Sequence, residues 1–128
     1  MIVDTQRGLK LVEVNLRKSV FVNYPYEREL VNVDKASWLK NLAAEIKAKS
    51  YTPGVCDIAE VPKGKGAVRP GSILPIRDMV AYTSIIDSIF PVIHKEIVWS
   101  QGINDFAYNL IQDPTNGLWF KEAYVGWE

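Results

Sequence analysis

A loop that contains two glycines and lies between two short β-prone runs restricts the fold of this chain more than any other feature. The runs are residues 56–61 and 68–74, and the loop between them, residues 62–67, reads PKGKGA. Glycine gives the backbone access to the conformations that tight turns require, so this pattern predicts an antiparallel β-hairpin. Pro62 and Pro70 have no amide N–H to donate, which confines them to the edges of such a sheet.

Two segments with helical spacing flank the predicted hairpin. Residues 34–50 predict an amphipathic helix in which Asp34 can act as the N-cap, and residues 76–90 predict a second helix. Pro91 either ends this second helix or opens a continuation through Ile97. The apolar positions at helical spacing are Trp38, Leu42 and Ile46 in the first segment, and Met79, Tyr82, Ile86 and Phe90 in the second.

The two ends of the chain carry weaker patterns. Residues 1–33 show partial alternation of apolar and polar residues, which predicts one or two short strands or an extended arm. Residues 103–111 allow a short helix, and residues 118–128 are dense in aromatic residues. The expected fold class is therefore α+β, with a small antiparallel β-hairpin packed with three to four helices in a domain that spans residues 34–128.

Composition limits the class of protein. With 128 residues, of which 48 % are hydrophobic and 23 % charged, the chain is expected to form one soluble globular domain. No apolar run approaches the roughly 20 residues of a membrane-spanning helix, and residues 1–10 lack the apolar stretch of a secretion signal. We therefore expect a cytoplasmic protein with no membrane association. One cysteine and one histidine cannot supply the usual ligands of a zinc site.

The sequence also argues against several catalytic centres. A two-metal centre for nucleotidyl transfer needs clustered carboxylates, and the chain has no Asp-Asp pair and no acidic cluster. Gly64-Lys65 lacks both the upstream glycine and the following Ser or Thr of a Walker loop. Cys56 and His94 could form a nucleophile and its base, but they lie on different predicted elements. We interpret Cys56 as a buried structural residue and His94 as a surface or partly satisfied histidine.

The remaining candidate is a local basic segment. Residues 61–77 contain four cations and no acid, in a chain with 15 basic and 15 acidic residues. Lysines in a glycine hairpin are often only solvated, whereas phosphate binding requires cations on a rigid frame. Arg69 fits the second interpretation, because a strand followed by proline fixes its backbone and its planar guanidinium can donate two parallel hydrogen bonds. Lys63 or Lys65 would add a more mobile point charge.

An ordered series of short motifs begins in this region and consists of Val61-Pro62-Lys63, Arg69-Pro70, Ile73, Pro75, Asp78-Met79-Val80-Ala81-Tyr82, Phe90-Pro91 and Ser100-Gln101-Gly102. This series resembles the fingers region of bacterial reverse transcriptases. In that family, a strand carrying "P-K" and a strand beginning "R-P" form the fingers hairpin, and a "P-x-x-D" stretch and a helix follow. Residues 38–51, which lead into the "Y-x-P" motif at Tyr51, are similar to the helix before the first fingers strand.

The resemblance covers residues 34–102 and implies a fingers-like subdomain of a right-hand polymerase, with the palm absent from this chain. The catalytic carboxylates and their Mg²⁺ would belong to the rest of the parent RNA-directed DNA polymerase, so this chain would carry no catalytic residue, metal site or cofactor. Its partners would be an RNA or DNA template-primer, a dNTP, and the palm and remaining domains. The implied site residues are Lys63, Lys65 and Arg69 at the triphosphate of the dNTP, and Arg77, Ser100 and Gln101 near the template.

Three further interpretations complete the sequence analysis. The 78–82 stretch and the zero net charge are most similar to divergent reverse transcriptases linked to phage defence, which implies a role in antiviral defence. Asp78 could bind a metal, but an acid in the first turn of a helix is stabilised by the helix dipole, and we favour that interpretation. An alternative function also stays open: a small protein–protein interaction module that binds its partner through the aromatic segment. Its aromatic residues are Trp119, Phe120, Tyr124 and Trp127.

Overall fold

The computed structural model describes residues 2–18, 25–63 and 65–98. Within them, four helices and a two-stranded antiparallel hairpin form a small α+β fold, which confirms the predicted fold class. None of the helices described is long and apolar enough to cross a membrane. In chain order the elements are α1 (Thr5–Lys18), α2 (Pro25–Val33), α3 (Lys35–Lys47), β1 (Asp57–Lys63), β2 (Ala67–Ile73) and α4 (Ile76–Val98).

The hydrophobic core lies among the helices, and the packing of α1 against α4 is its largest contact. Helix α3 closes the core from another side, and a hydrogen bond from the buried Thr5 hydroxyl to the Leu39 carbonyl, 3.1 Å long, ties α1 to it. Helix α2 contributes one residue. The buried core residues are Leu9 and Val12 of α1, Val31 of α2, Leu39 and Leu42 of α3, and Ile76, Val80 and Ala81 of α4.

The short strands predicted for residues 1–33 are wrong, because residues 5–18 and 25–33 are helical. Nor is α1 a separate arm, since Leu9 and Val12 are part of the same core as α4. The carboxylate of Asp4 accepts a hydrogen bond from the Arg7 amide at 2.9 Å, as an N-cap residue does at the start of a helix. The apolar residues of α1 fit both a strand and a helix, and burial against α4 favours the helix.

A glycine allows α1 and α4 to approach closely. A Cβ atom added to Gly8 would lie 1.9 Å from Ser84 Oγ and 3.0 Å from Ser84 Cβ. The Ser84 hydroxyl is buried and donates to the Val80 carbonyl at 2.6 Å. Beside this contact, Arg7 Nε lies 2.7 Å from Asp87 Oδ2 and forms an ion pair between the two helices. Gly8 therefore sets the distance between the helices that share most of the core.

Helix α3 agrees with the prediction for residues 34–50. Asp34 is its N-cap, with the carboxylate accepting from the Ser37 amide at 3.4 Å. At the other end, the Ser50 amide donates to the Glu45 carbonyl and the Lys49 amide donates to the Ile46 carbonyl, which is the Schellman arrangement. Lys49 has φ 56°, in the left-handed region that glycine usually occupies at this position.

Helix α4 runs for 23 residues with Pro91 inside it, so the continuation past Pro91 is confirmed. Proline in a helix removes one backbone hydrogen bond, and Pro91 itself lies at an exposed position of α4. The prediction that Cys56 is buried is wrong: Cys56 is exposed just before β1 begins. The hairpin that it precedes extends from the helices and leaves most of its own residues accessible.

Candidate functional site

The register of the hairpin sorts its residues into two faces. Directly paired residues in an antiparallel ladder share a face, and successive residues of a strand alternate between faces. One face, here called the cation face, is formed by the pairs Asp57↔Ile73, Ala59↔Gly71, Val61↔Arg69 and Lys63↔Ala67. The other, here called the outer face, is formed by the pairs Ile58↔Ser72, Glu60↔Pro70 and Pro62↔Val68.

The outer face is open to solvent throughout, with Ile58 77 % and Val68 58 % exposed. The cation face is partly covered at its lower end, where Ala59, Gly71 and Ile73 are half-buried. The two faces therefore differ in their exposure to solvent, and Arg69 lies on the face that is partly buried at its lower end.

The register brings Arg69 and Lys63 to neighbouring positions of the cation face. Val61 pairs with Arg69, and Lys63 follows Val61 by two residues, so Lys63 and Arg69 are diagonal neighbours. Diagonal positions of an antiparallel pair are separated by roughly 7–8 Å. The side chain of Lys63 lies outside the described part of the structure, so this statement concerns the backbone positions alone. Arg69 is exposed and forms no ion pair with any residue that the structure describes.

Lys65 lies at the tip of the hairpin in an unusual backbone conformation. Its φ is 63°, and Gly66, which follows it, has φ 77°. A residue with a side chain in this left-handed region costs roughly 1–2 kcal/mol relative to the right-handed region, whereas glycine adopts it freely. Lys65 is exposed and, like Arg69, has no ion-pair partner among the described residues. A lysine thus occupies a position where the backbone favours glycine.

Acidic residues of the hairpin lie away from Arg69. Glu60 belongs to the outer face. Asp57 belongs to the cation face but stands at the base of the hairpin, four residues from Val61, or roughly 13 Å at the rise of a strand. The upper part of the cation face therefore has positive charge without a carboxylate in its register positions.

The two prolines predicted to lie on edges both fall on the outer face. Proline has no N–H to donate, so Pro62↔Val68 and Glu60↔Pro70 belong to the non-hydrogen-bonded pairs of the ladder. Val61↔Arg69 then belongs to the hydrogen-bonded pairs, in which the two residues exchange both backbone bonds. This arrangement fixes the backbone of Arg69 and places a proline on the open edge of each strand.

A buried carboxylate joins the base of the hairpin to the start of α4. Asp78 is 8 % exposed, and its Oδ2 accepts from the Gly54 amide at 2.8 Å. Its Oδ1 accepts a hydrogen bond from the Tyr51 hydroxyl. The segment between α3 and β1 is thereby attached at two points to the first turn of α4. Asp78 is an acid in that first turn, as expected from the sequence, and both of its oxygens also have specific partners.

Arg77 is held at the same junction. Its guanidinium pairs with the Glu45 carboxylate of α3, and its Cζ lies 5.0 Å from the centroid of the Tyr51 ring, within cation–π distance. Burial raises the pKa of Tyr51 to about 12, with further contributions from the hydrogen bond and the negative charge of Asp78. Tyr51 therefore stays a neutral hydrogen-bond donor through the physiological pH range.

Glu27 caps the start of α4 from a different helix. Its Oε2 accepts from the Ile76 amide at 2.9 Å, which satisfies one of the amide groups that the first turn of a helix leaves without an intrahelical partner. Two acidic side chains, Glu27 and Asp78, thus lie at the N-terminal end of α4, where the helix dipole favours negative charge. Sequence reasoning identified Asp78 and missed Glu27, because no local pattern connects α2 with a residue 49 positions later.

The predicted site residues therefore fall into three places. Arg69, Lys65 and the backbone position of Lys63 lie in the upper part of the hairpin, and Arg77 lies in the junction with Tyr51. The predicted template-proximal residues Ser100 and Gln101, and the aromatic segment 118–128, lie outside the described residues. Among the residues described, no group of three or more His, Cys, Asp or Glu side chains could hold a metal ion.

Comparison of the chain with protein-family models, with curated proteins and with solved structures finds no match.

Proposed function

We propose that this chain is the fingers portion of a reverse-transcriptase-like polymerase that acts in the cytoplasm, with a role in antiviral defence. Its hairpin contacts the triphosphate of an incoming dNTP through Arg69 and through Lys63 or Lys65, and neighbouring residues face an RNA or DNA template-primer. The chain does not catalyse polymerisation alone. The catalytic carboxylates, and the Mg²⁺ that they hold, belong to the palm and remaining domains of the parent enzyme.

The observation that carries the proposal is the position of Arg69. It is exposed, its charge has no partner among the described residues, and its strand register makes Lys63 a diagonal neighbour. A triphosphate needs several cations on one surface with a fixed backbone, because an arginine fork is most effective when its position is set in advance. The hairpin supplies such a surface, with both strands paired over seven residues each.

Lys65 supports the same proposal through its backbone conformation. Glycine would be more stable than lysine at φ 63°, so the lysine lowers the stability of the turn. Residues in sparsely populated backbone regions cluster at ligand-binding sites, where a side chain serves function at a cost in stability. A positive charge at the hairpin tip is the property that lysine adds there.

The contacts at the base of the hairpin support the proposal, because they hold the hairpin in a fixed position on the helices. Two hydrogen bonds to Asp78 tie the segment that precedes β1 to α4, and Arg77 bridges α3 to the same place. In the proposal, Arg77 helps to hold the base of the hairpin in place. Its guanidinium is paired with Glu45 and therefore offers less of its charge to a phosphate. Its placement near the template, together with Ser100 and Gln101, stays a prediction of the resemblance.

The proposal is tested by titrating a deoxynucleoside triphosphate into the full chain by isothermal calorimetry, comparing wild type with Arg69→Ala. A charge-assisted bidentate contact contributes roughly 1.5–3 kcal/mol, so affinity should fall about tenfold or more. Arg28→Ala is the matched control, because Arg28 is also an exposed arginine and lies on α2. It removes the same charge away from the hairpin and should leave the affinity unchanged.

A second arm of the experiment uses a short primer-template at two salt concentrations. If Arg69 contacted the backbone of the primer-template, Arg69→Ala would reduce the salt slope of that binding by roughly 0.7 for a single strand. Because the proposal places Arg69 at the triphosphate, we expect the salt slope to stay unchanged. Thermal melts of all variants must coincide, so that a loss of binding is not a loss of folding. Equal affinities for wild type and Arg69→Ala would overturn the proposal and make the hairpin a structural element only.

A further inference from the structure

Helix α4 is apolar on two sides. One side, which includes Val80, Ala81 and Phe90, is buried. A helix that is hydrophobic around most of its circumference is normally covered on more than one side. The second side, here called the free stripe, consists of Tyr82, Ile85, Ile86, Ile89, Val92 and Ile93, which follow the i, i+3, i+4, i+7 spacing of a helix face.

The free stripe is only partly covered by the residues that the structure describes. Tyr82 is 63 % exposed and Val92 is 68 % exposed, and the four isoleucines between and beside them are half-buried. Isolated exposed apolar residues are common on protein surfaces, whereas a continuous row of six along one helix indicates a contact surface. The N-terminal and C-terminal ends of the row are both accessible.

We propose that residues 103–111 of the same chain cover the C-terminal half of the free stripe, around Ile89, Val92 and Ile93. This segment begins five residues after α4 ends and contains its own apolar row. A short connection between two helical segments makes them antiparallel neighbours, and the chain from the end of α4 to residue 103, residues 99–102, has a length suited to such a connection. The apolar row of the segment is Ile103, Phe106, Ala107, Leu110 and Ile111.

The spacing of this second row matches the first. Its members follow each other at i, i+3, i+4, i+7 and i+8, so in a helix they form one face, and the intervening residues are mostly polar. If residues 103–111 run antiparallel to α4, position 110 lies beside position 91, and position 107 lies beside position 94. Leu110 then meets Val92, and Ala107 meets Ile93. A second copy of the chain has no such built-in proximity, which favours the segment of the same chain.

The proposal predicts which engineered cysteine pairs form a disulfide within one molecule. Two double-cysteine variants are made in the full-length chain with Cys56 replaced by serine. The first combines Val92→Cys with Leu110→Cys, and the second combines Ile93→Cys with Ala107→Cys. Each variant is then treated with a mild oxidant. A disulfide requires Cα atoms about 4.4–6.8 Å apart. The control pair is Tyr82→Cys with Leu110→Cys. Tyr82 lies on the same stripe and is similarly exposed. It is about nine residues, or roughly 14 Å along the helix axis, from position 91, which is where the proposal places Leu110.

Both test pairs should close within the monomer at a rate about tenfold or more above that of the control pair. Far-UV circular dichroism confirms that each variant is folded, and the two test pairs sample different substitutions, so one failed variant does not decide the result. Disulfide-linked dimers would overturn the proposal in favour of a second copy on the free stripe. Equal rates for test and control pairs, or no intramolecular bond in either test pair, would also overturn it. The outcome is independent of nucleotide binding.

Discussion

Replacing Gly8 with alanine should destabilise the fold, although alanine is normally the better helix former. At an exposed position in a helix, Gly→Ala would stabilise by roughly 1 kcal/mol. Gly8 faces α4 instead, and the new Cβ would lie 1.9 Å from Ser84 Oγ, 3.0 Å from Ser84 Cβ and 3.1 Å from the Val80 carbonyl oxygen. Two carbon atoms in favourable contact are about 3.5–4.0 Å apart, and a carbon and an oxygen are only slightly closer, so all three distances are too short.

Rotation of the Ser84 hydroxyl cannot relieve the contact by itself. It would break the 2.6 Å hydrogen bond to the Val80 carbonyl and still leave the two Cβ atoms too close. The helices must therefore move apart, which disturbs the largest packing interface of the core. Overpacking of this kind costs roughly 1–3 kcal/mol, and the gain in helix propensity offsets part of it. Because the lost hydrogen bond places the cost at the upper end of this range, we expect a net loss of about 1–2 kcal/mol and a fall in Tm of roughly 4–8 °C.

The assay is urea unfolding followed by circular dichroism for wild type, Gly8→Ala, Ser84→Ala and the double variant. Removing the Ser84 hydroxyl takes away the shortest contact, so the double variant should be more stable than the sum of the single effects predicts. A coupling of about 1 kcal/mol is expected for residues in direct contact. An unchanged or increased stability of Gly8→Ala would show that α1 and α4 do not approach each other at this point, and it would refute the reasoning.

Three further predictions concern the hydrogen-bonded junction and the two turns. The pKa of Tyr51 in the folded chain is about 12, above its value of about 10 in the unfolded chain. The neutral Tyr51 hydroxyl therefore contributes fully to the free energy of unfolding below about pH 10, and this contribution is lost as the pH rises toward 12. Tyr51→Phe should remove this alkaline decline and leave one oxygen of Asp78 without its donor, at a cost of roughly 1–2 kcal/mol, measured by urea unfolding across that pH range. Lys49→Gly should stabilise by about 0.5–1 kcal/mol in the same assay, because φ 56° favours glycine, whereas Lys49→Ala should not. Gly66→Ala should lower the free energy of unfolding by roughly 1 kcal/mol because of φ 77° alone, since no atom lies within 4 Å of the added Cβ. A stability equal to that of the wild type would contradict the left-handed conformation of Gly66.

Local signals predicted the middle of the chain well. Asp34 precedes an apolar row and caps α3, and the glycine loop between β-prone runs marks the hairpin. Both features depend on residues within one or two turns of each other, which is the range over which sequence patterns are informative. Pro91 inside α4 was left open by the sequence and decided by the structure, because a helix with an otherwise continuous apolar pattern tolerates one proline at an exposed position.

The N-terminal helices could not be predicted in this way, because their partners are distant in the chain. Arg7 pairs with Asp87, 80 residues later, and Gly8 packs against Ser84. A glycine within α1 also lowers its helix propensity and weakens the local pattern. The same limitation applies to the junction at Tyr51, where the two motifs "Y-x-P" and "P-x-x-D" are each visible in the sequence. Only the fold brings the tyrosine hydroxyl to the aspartate carboxylate.

The central claim is that the cation face of the hairpin binds a nucleotide triphosphate, and photo-crosslinking tests it most directly. A deoxynucleotide with a photoreactive group on its γ-phosphate is irradiated with the full chain, and the labelled peptides are mapped by mass spectrometry. We predict labelling within residues 61–69 that unmodified dNTP prevents and that Arg69→Ala strongly reduces. Labelling on the helices instead, or labelling that excess dNTP does not prevent, would contradict the claim.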